Sequence, residues 1–121
     1  HGTIHWGHAV TDNLVRWRDL PVALAPEPGT YDQDGCWSGC AVNDDGLPTL
    51  FYTAVYPQSV TAAVSHDNLR TWEKIPQNPL IPGPPDELGA LAGGHFRDPF
   101  IWREDDGWKM LVASKIEGKG G

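Results

Sequence analysis

The residue in this chain best suited to chemistry is Asp98, set between Arg97 and Pro99 at the head of an apolar run. A carboxylate so placed is able to act as an acid, a base or a fixed negative charge. Arg97 beside it would favour the ionised form, although neighbours on a regular strand point to opposite faces, which leaves their pairing open. The other acids have plainer explanations. Asp44, Asp45, Asp105 and Asp106 occupy turn sequences, and Asp12 and Asp67 head two matching corners. There an Asx-type bond to the backbone accounts for them.

His1, His5 and His8 raise the possibility of a metal site, since their spacing approaches that of metal ligands. On a strand His1 and His5 share a face while His8 lies on the other, which spoils a three-ligand site. No metal is expected, and His8 reads as a buried histidine bonded to backbone. Cys36 and Cys40 are four apart, so on a strand their Cα atoms stand roughly 13 Å from each other, too far for a disulfide. Both read as small buried hydrophobes. The chain also carries six Trp. Aromatic rings stack on sugars as well as fill cores, but Trp17 and Trp72 occupy the same place in a repeat and read as packing residues.

That repeat specifies the elements that must position these groups. Asp12-Asn13-Leu14-Val15-Arg16-Trp17 followed by Pro21 returns as Asp67-Asn68-Leu69-Arg70-Thr71-Trp72 followed by Pro76, a period of 55 residues from Asp12 to Asp67. A second pair interleaves with it. Cys36-Trp37-Ser38-Gly39, Asp44-Asp45-Gly46 and Leu50-Phe51-Tyr52 correspond to Phe96-Arg97-Asp98-Pro99, Asp105-Asp106-Gly107 and Met110-Leu111-Val112. Each unit thus reads as four short strands, the signature of a β-propeller blade. Asp98 then begins an innermost strand, where propeller strands line the central channel.

Apolar and aromatic runs predict strands at 36–42, 49–56, 60–65, 97–103 and 108–114, with no convincing helix. Asp45-Gly46 and Asp106-Gly107 suit tight hairpin turns. The stretch from Pro76 to Gly94 contains Pro79, Pro82, Pro84 and Pro85 and is expected to be a long connection. At 121 residues the chain has the length of one ordinary domain. A propeller needs at least four blades to close, and about two are present, so the expectation is a fragment. A net charge of −7 without a basic stretch argues against nucleic acid, and no apolar span or signal peptide suggests a membrane partner.

The chain resembles glycoside hydrolase family 32, the invertases and fructan hydrolases. The likeness rests on His5-Trp6-Gly7-His8-Ala9-Val10, Asp12-Asn13-Leu14-Val15-Arg16-Trp17, Leu20-Pro21-Val22-Ala23-Leu24, Gly35-Cys36-Trp37-Ser38-Gly39, Asn78-Pro79 and Phe96-Arg97-Asp98-Pro99, in the family's order. It implies an all-β fold, a fragment of about two blades from a five-bladed β-propeller. Residues 1–121 would form part of the N-terminal catalytic domain, with no second domain inside the chain. The family cleaves β-fructofuranosidic bonds with retention, so the expected partner is a small sugar such as sucrose or a fructan. No cofactor is implied.

By the same resemblance Asp98 is the transition-state stabiliser, and Arg97, Ser38 and Trp37 lie along the sugar-binding wall. The family nucleophile belongs to an Asn-Asp-Pro motif and the acid/base to a Glu-Cys motif, and neither occurs here. Family order puts the nucleophile shortly before residue 1 and the acid after Gly121. The 121-residue stretch is therefore expected to be inactive alone. His1 departs from the family, many members of which carry a Trp there, and this bears on leaving-group preference. A fructosyltransferase on the same scaffold and a non-catalytic carbohydrate-binding propeller are the alternative readings.

Overall fold

In a computed structural model of the chain, which describes residues 3–86 and 94–115, the architecture is built from eight antiparallel strands. They are β1 (Ala9–Val10), β2 (Arg18–Asp19), β3 (Gly35–Asp44), β4 (Leu47–Val55), β5 (Ser59–Val64), β6 (Glu73–Lys74), β7 (Phe96–Glu104) and β8 (Gly107–Ser114). The elements named among the described residues are all strands. The strands form three sheets, β1-β2, β3-β4-β5-β6 and β7-β8. The middle sheet is one complete four-stranded meander. By the repeat, β1-β2 corresponds to its outer pair β5-β6, and β7-β8 to its inner pair β3-β4.

The strands expected at 36–42, 49–56, 60–65, 97–103 and 108–114 all form, each within about two residues of the expected ends. The central strands lose hydrophobic alternation because both faces are covered. In β5, Ser59-Val60-Thr61-Ala62-Ala63 is buried throughout, and its small side chains let a neighbouring layer approach closely. On one face the core gathers Leu24, Cys36, Leu50, Tyr52, Ala54 and Ala63, with Trp6, Tyr31 and Trp72 packed around it. Strand β7 packs against β3 and β4. Arg103 reaches from β7 to Asp45 in the β3-β4 turn at 2.6 Å, a link across two sheets.

The β3-β4 loop is Asp45-Gly46 with φ of 47° and 93°, as the sequence predicts, and Asn43 Oδ1 accepts the Gly46 N–H. The β7-β8 loop is set one residue earlier than expected. Glu104 pairs with Gly107, so Asp105-Asp106 forms the loop and Gly107, at φ 134°, opens β8. At the corners, Asp67 accepts the N–H groups of Arg70 and Thr71 and the hydroxyls of Ser65 and Thr71. In the first corner the same work falls to Thr11 and Asn13 rather than Asp12.

Beyond Pro76 the chain is held by side chains more than by strand pairing. Asn78 accepts the Ala62 N–H and donates to the Ala62 carbonyl and to Tyr31 Oη, and Ile81 bridges to Val60. The rest of the expected connection, 87–93, lies outside the described residues.

Trp17 and Trp72 do not share one role. Among the described residues Trp72 packs on the core cluster, whereas Trp17 is 59% exposed. Cys36 is buried as expected. Cys40 is half-buried and accepts the Ile101 N–H at 3.3 Å, and both cysteines are free. His8 is half-buried, and among the described residues its Nδ1 has no hydrogen-bond partner and no side-chain bond to backbone is seen.

Candidate functional site

Two β-bulges build the site. In β3, Trp37 pairs with Thr53 and Gly39 with Tyr52, so Ser38 drops out of the ladder. The bulge brings Gly39 onto the β4 backbone, where a Cβ would overlap the Phe51 carbonyl, so glycine is required. In β7, Arg97 pairs with Ala113 and Phe100 with Leu111, which leaves Asp98 and Pro99 opposite Val112. Asp98 takes φ 58° in the left-handed region, which costs a residue other than glycine about 1–2 kcal/mol. Pro99 is buried beneath it.

The second bulge answers what strand alternation left open. Regular alternation would send Arg97 and Asp98 to opposite faces. The left-handed turn at Asp98 instead brings its Oδ2 to 3.8 Å from Arg97 Nε. A guanidinium nitrogen of Arg97 also meets His95 Nδ1 at 3.0 Å. The Asp98 N–H donates to Thr53 Oγ1 at 2.8 Å, and the Thr53 hydroxyl donates to the Ser38 carbonyl at 3.0 Å.

Trp37, Ser38, Arg97 and Asp98, the four site residues expected from the sequence, meet with Ile4 around one cleft of about 250 Å³. An adjoining hollow of about 350 Å³ shares Ile4, Trp37 and Ser38 and extends along His5, Trp6 and Gly7. Trp6 Nε1 donates to the Trp37 carbonyl at 2.9 Å, which anchors that segment to β3. The cleft combines an exposed carboxylate, a guanidinium, a hydroxyl and an indole, a set matched to a polyhydroxylated ring. A roomier hollow of about 660 Å³, by His8, Arg18 and Arg70, contains none of the four.

Sequence reasoning missed two groups. Thr53 lies within an ordinary strand run, and nothing in Phe51-Tyr52-Thr53 marks its hydroxyl as the link between two bulges. Asp32, which nothing in its sequence neighbourhood singles out, is fully buried. It accepts from Lys74 Nζ at 2.7 Å, Tyr52 Oη at 2.9 Å, the Glu27 N–H at 3.0 Å and Thr30 Oγ1 at 3.0 Å. Burial raises its pKa, but the bonds from Lys74, Glu27 and Tyr52 more than offset this and hold it below its ordinary value. Burial and the Asp32 charge push the Cys36 thiol up to about 12, which leaves it unreactive.

His5 is exposed, with Nδ1 2.9 Å from the Thr3 carbonyl, and His1 lies outside the described residues. Among the described residues no cluster of three metal-ligating side chains occurs, and no helix is long and apolar enough to cross a membrane.

The four-stranded meander and its flanking hairpins define a β-propeller, with a polar cleft where two innermost strands begin. Comparison with known proteins narrows that class. Residues 1–121 match the glycosyl hydrolases family 32 N-terminal domain, and the chain belongs to that family. It is 38% identical over 126 residues to a sucrose-6-phosphate hydrolase of Zymomonas mobilis, covering 98% of this chain and 23% of the relative. It is 35% identical over 132 residues to a fructan 6-exohydrolase of Beta vulgaris, covering 100% of this chain and 21% of that protein. The fold superposes on the crystal structure of fructan 1-exohydrolase IIa from Cichorium intybus with a TM-score of 0.85 and 34% identity, over 99% of this chain and 24% of that one. A variant of the chicory enzyme has been solved with 1-kestose, and a Bombyx mori β-fructofuranosidase variant with sucrose. The chain spans about a quarter of the length of the curated relatives it matches.

Proposed function

We propose that this chain is part of the N-terminal catalytic β-propeller of a retaining glycoside hydrolase that cleaves β-fructofuranosidic bonds in sucrose or in inulin- or levan-type fructans. In this reading the propeller has five blades, and the nucleophile and the acid/base are carried by the whole protein outside these residues. The observation that carries the reading is the convergence of Arg97-Asp98 and Trp37-Ser38 on one cleft at two bulges, in a chain of this family.

A retaining glycosidase works through two carboxyl groups about 5–5.5 Å apart, one attacking the anomeric carbon and one protonating the leaving oxygen. The transition state carries positive charge on the ring. Asp98 supplies a third, fixed anion that accepts hydrogen bonds from fructose hydroxyls and stabilises that charge. Arg97 orients the carboxylate. Ser38 and Trp37 form the facing wall, one with a hydroxyl and the other with an indole.

Asp98→Asn in the full-length protein tests this. Turnover on sucrose, followed as released fructose, is expected to fall by roughly 10²–10³-fold while the melting temperature stays put. A turnover within about threefold of the parent would remove Asp98 from the transition-state role. Ser38→Ala is expected to raise KM modestly, in line with one neutral hydrogen bond of about 1 kcal/mol; unchanged kinetics would make Ser38 structural.

A further inference from the structure

Granted the proposed role of Asp98, we infer that Thr53 is a positioning residue whose single hydroxyl sets Asp98 and Ser38 relative to each other across two sheets. Thr53 lies on β4, fully buried, with no access to a ligand in the cleft. It therefore acts through the two residues it bonds.

The geometry assigns the direction of each bond. The Thr53 hydroxyl has one proton, and at 3.0 Å the Ser38 carbonyl is an acceptor that takes it. The same oxygen then receives the Asp98 N–H at 2.8 Å. Both partners have left their own ladders, Ser38 at the β3 bulge and Asp98 at the β7 bulge. Without the hydroxyl, each would be a backbone group held away from its strand partner with nothing to bond.

Asp98 also needs a restraint. It sits at φ 58° immediately before a proline, a conformation that a residue other than glycine keeps only when its surroundings impose it. The N–H bond to Thr53 and the burial of Pro99 are what impose it here. Thr53 is β-branched and stiff at χ1, so the oxygen does not wander. A ring-hydroxyl ligand must meet Asp98 and Ser38 together, and their separation is governed by this one atom.

The test uses the full-length enzyme with sucrose, comparing Thr53→Val, Thr53→Ser and Asp98→Asn. Val keeps the volume and removes the hydroxyl, whereas Ser keeps the hydroxyl and removes the methyl. Thr53→Val is expected to lower kcat by roughly 10- to 100-fold, the size of effect that an ångström-scale displacement of a reacting group produces. Thr53→Ser should recover most of that loss even though it packs less well. If Thr53 matters only for packing, Ser will be no more active than Val, and the inference falls. It also falls if Val turns over sucrose at the parental rate. Should Val not accumulate as folded protein, Thr53→Ala replaces it: a Ser variant clearly faster than Ala supports the hydroxyl, and equal rates overturn it. Asp98→Asn separates the two levels. If that variant is fully active, the role of Asp98 itself is wrong; if it is impaired while Thr53→Val is not, only the role of Thr53 is wrong.

Discussion

At the scale of single residues, the site depends on positions where the backbone departs from a regular strand. Gly39 is the clearest, because its Cα lies against the Phe51 carbonyl with no room for a side chain. Gly39→Ala in the full-length protein is expected to cost about 3 kcal/mol or more, since relief requires one strand to move off another. Urea unfolding measures this, and a cost below about 0.5 kcal/mol would mean that the β3 bulge relaxes easily. Asp67 illustrates a milder dependence. Bonds from the Thr71 hydroxyl and N–H hold its pKa at about 2, although the corner is exposed. Thr71→Val removes the first of these, and the Asp67 carboxyl should then titrate at a higher pH by NMR; an unmoved titration would show that backbone N–H groups alone suffice. Asp98 stood out as a candidate in the sequence because it lies between Arg97 and Pro99 at the head of an apolar run and matches the Arg-Asp-Pro of the resembled family. Thr53 was not, because its importance comes from two bulges 45 residues and 15 residues away that only the folded chain brings to it.

At the scale of elements, strands were legible wherever turn chemistry bounded them, as Asp45-Gly46 bounds β3 and β4. What escaped was the support beneath them. Lys74 on β6 uses all three ammonium protons, on Asp32 at 2.7 Å, Glu27 at 3.0 Å and the Ala25 carbonyl at 2.7 Å. This ties the segment before β3 to the outer edge of the blade. Burial lowers the Lys74 pKa, but Asp32 and Glu27 outweigh it and leave it raised, while that of Asp32 is lowered. The Asp32 contribution is therefore present above its unfolded value of about 3.9 and is lost as pH falls through the lower folded value. The Lys74 contribution is present below about 10.4 and is lost as pH rises through its higher folded value. A stability plateau between about pH 5 and pH 9 should result. Lys74→Met strands a carboxylate in the core, and at pH 7 it should cost about 3–5 kcal/mol. In that variant the folded Asp32 pKa rises above its unfolded value, so melting temperature should increase as pH falls from 7 to 4. A melting temperature that stays level or drops over that interval would show that the remaining bonds from Tyr52, Thr30 and the Glu27 N–H suffice to keep Asp32 ionised.

At the scale of the whole molecule, blades are stable because each sheet is covered on both faces. The repeat made that architecture legible, since a 55-residue period of strand patterns leaves few other folds. The middle sheet meets the requirement, with β5 buried from Ser59 to Ala63. The β7-β8 hairpin meets it on one face only. Ile101 is buried against the neighbouring sheet, while Phe100 and Leu111, paired across the strands, stand 58% and 64% exposed with Trp102 beside them. Such a face is what a further propeller sheet covers, and these residues span about a quarter of the length of their relatives. Phe100→Ala should thus behave differently in two settings. In the full-length protein it is expected to cost about 3 kcal/mol, as a large-to-small change in a core does. In the 121-residue stretch produced alone it should cost almost nothing and lessen the aggregation that an open apolar face and unpaired strand edges favour. Urea unfolding of the whole protein and light scattering of the stretch give the two readings. An equal, small effect in both would mean that Phe100 faces water in the complete protein, and that the sheet carrying Asp98 is supported from one side alone.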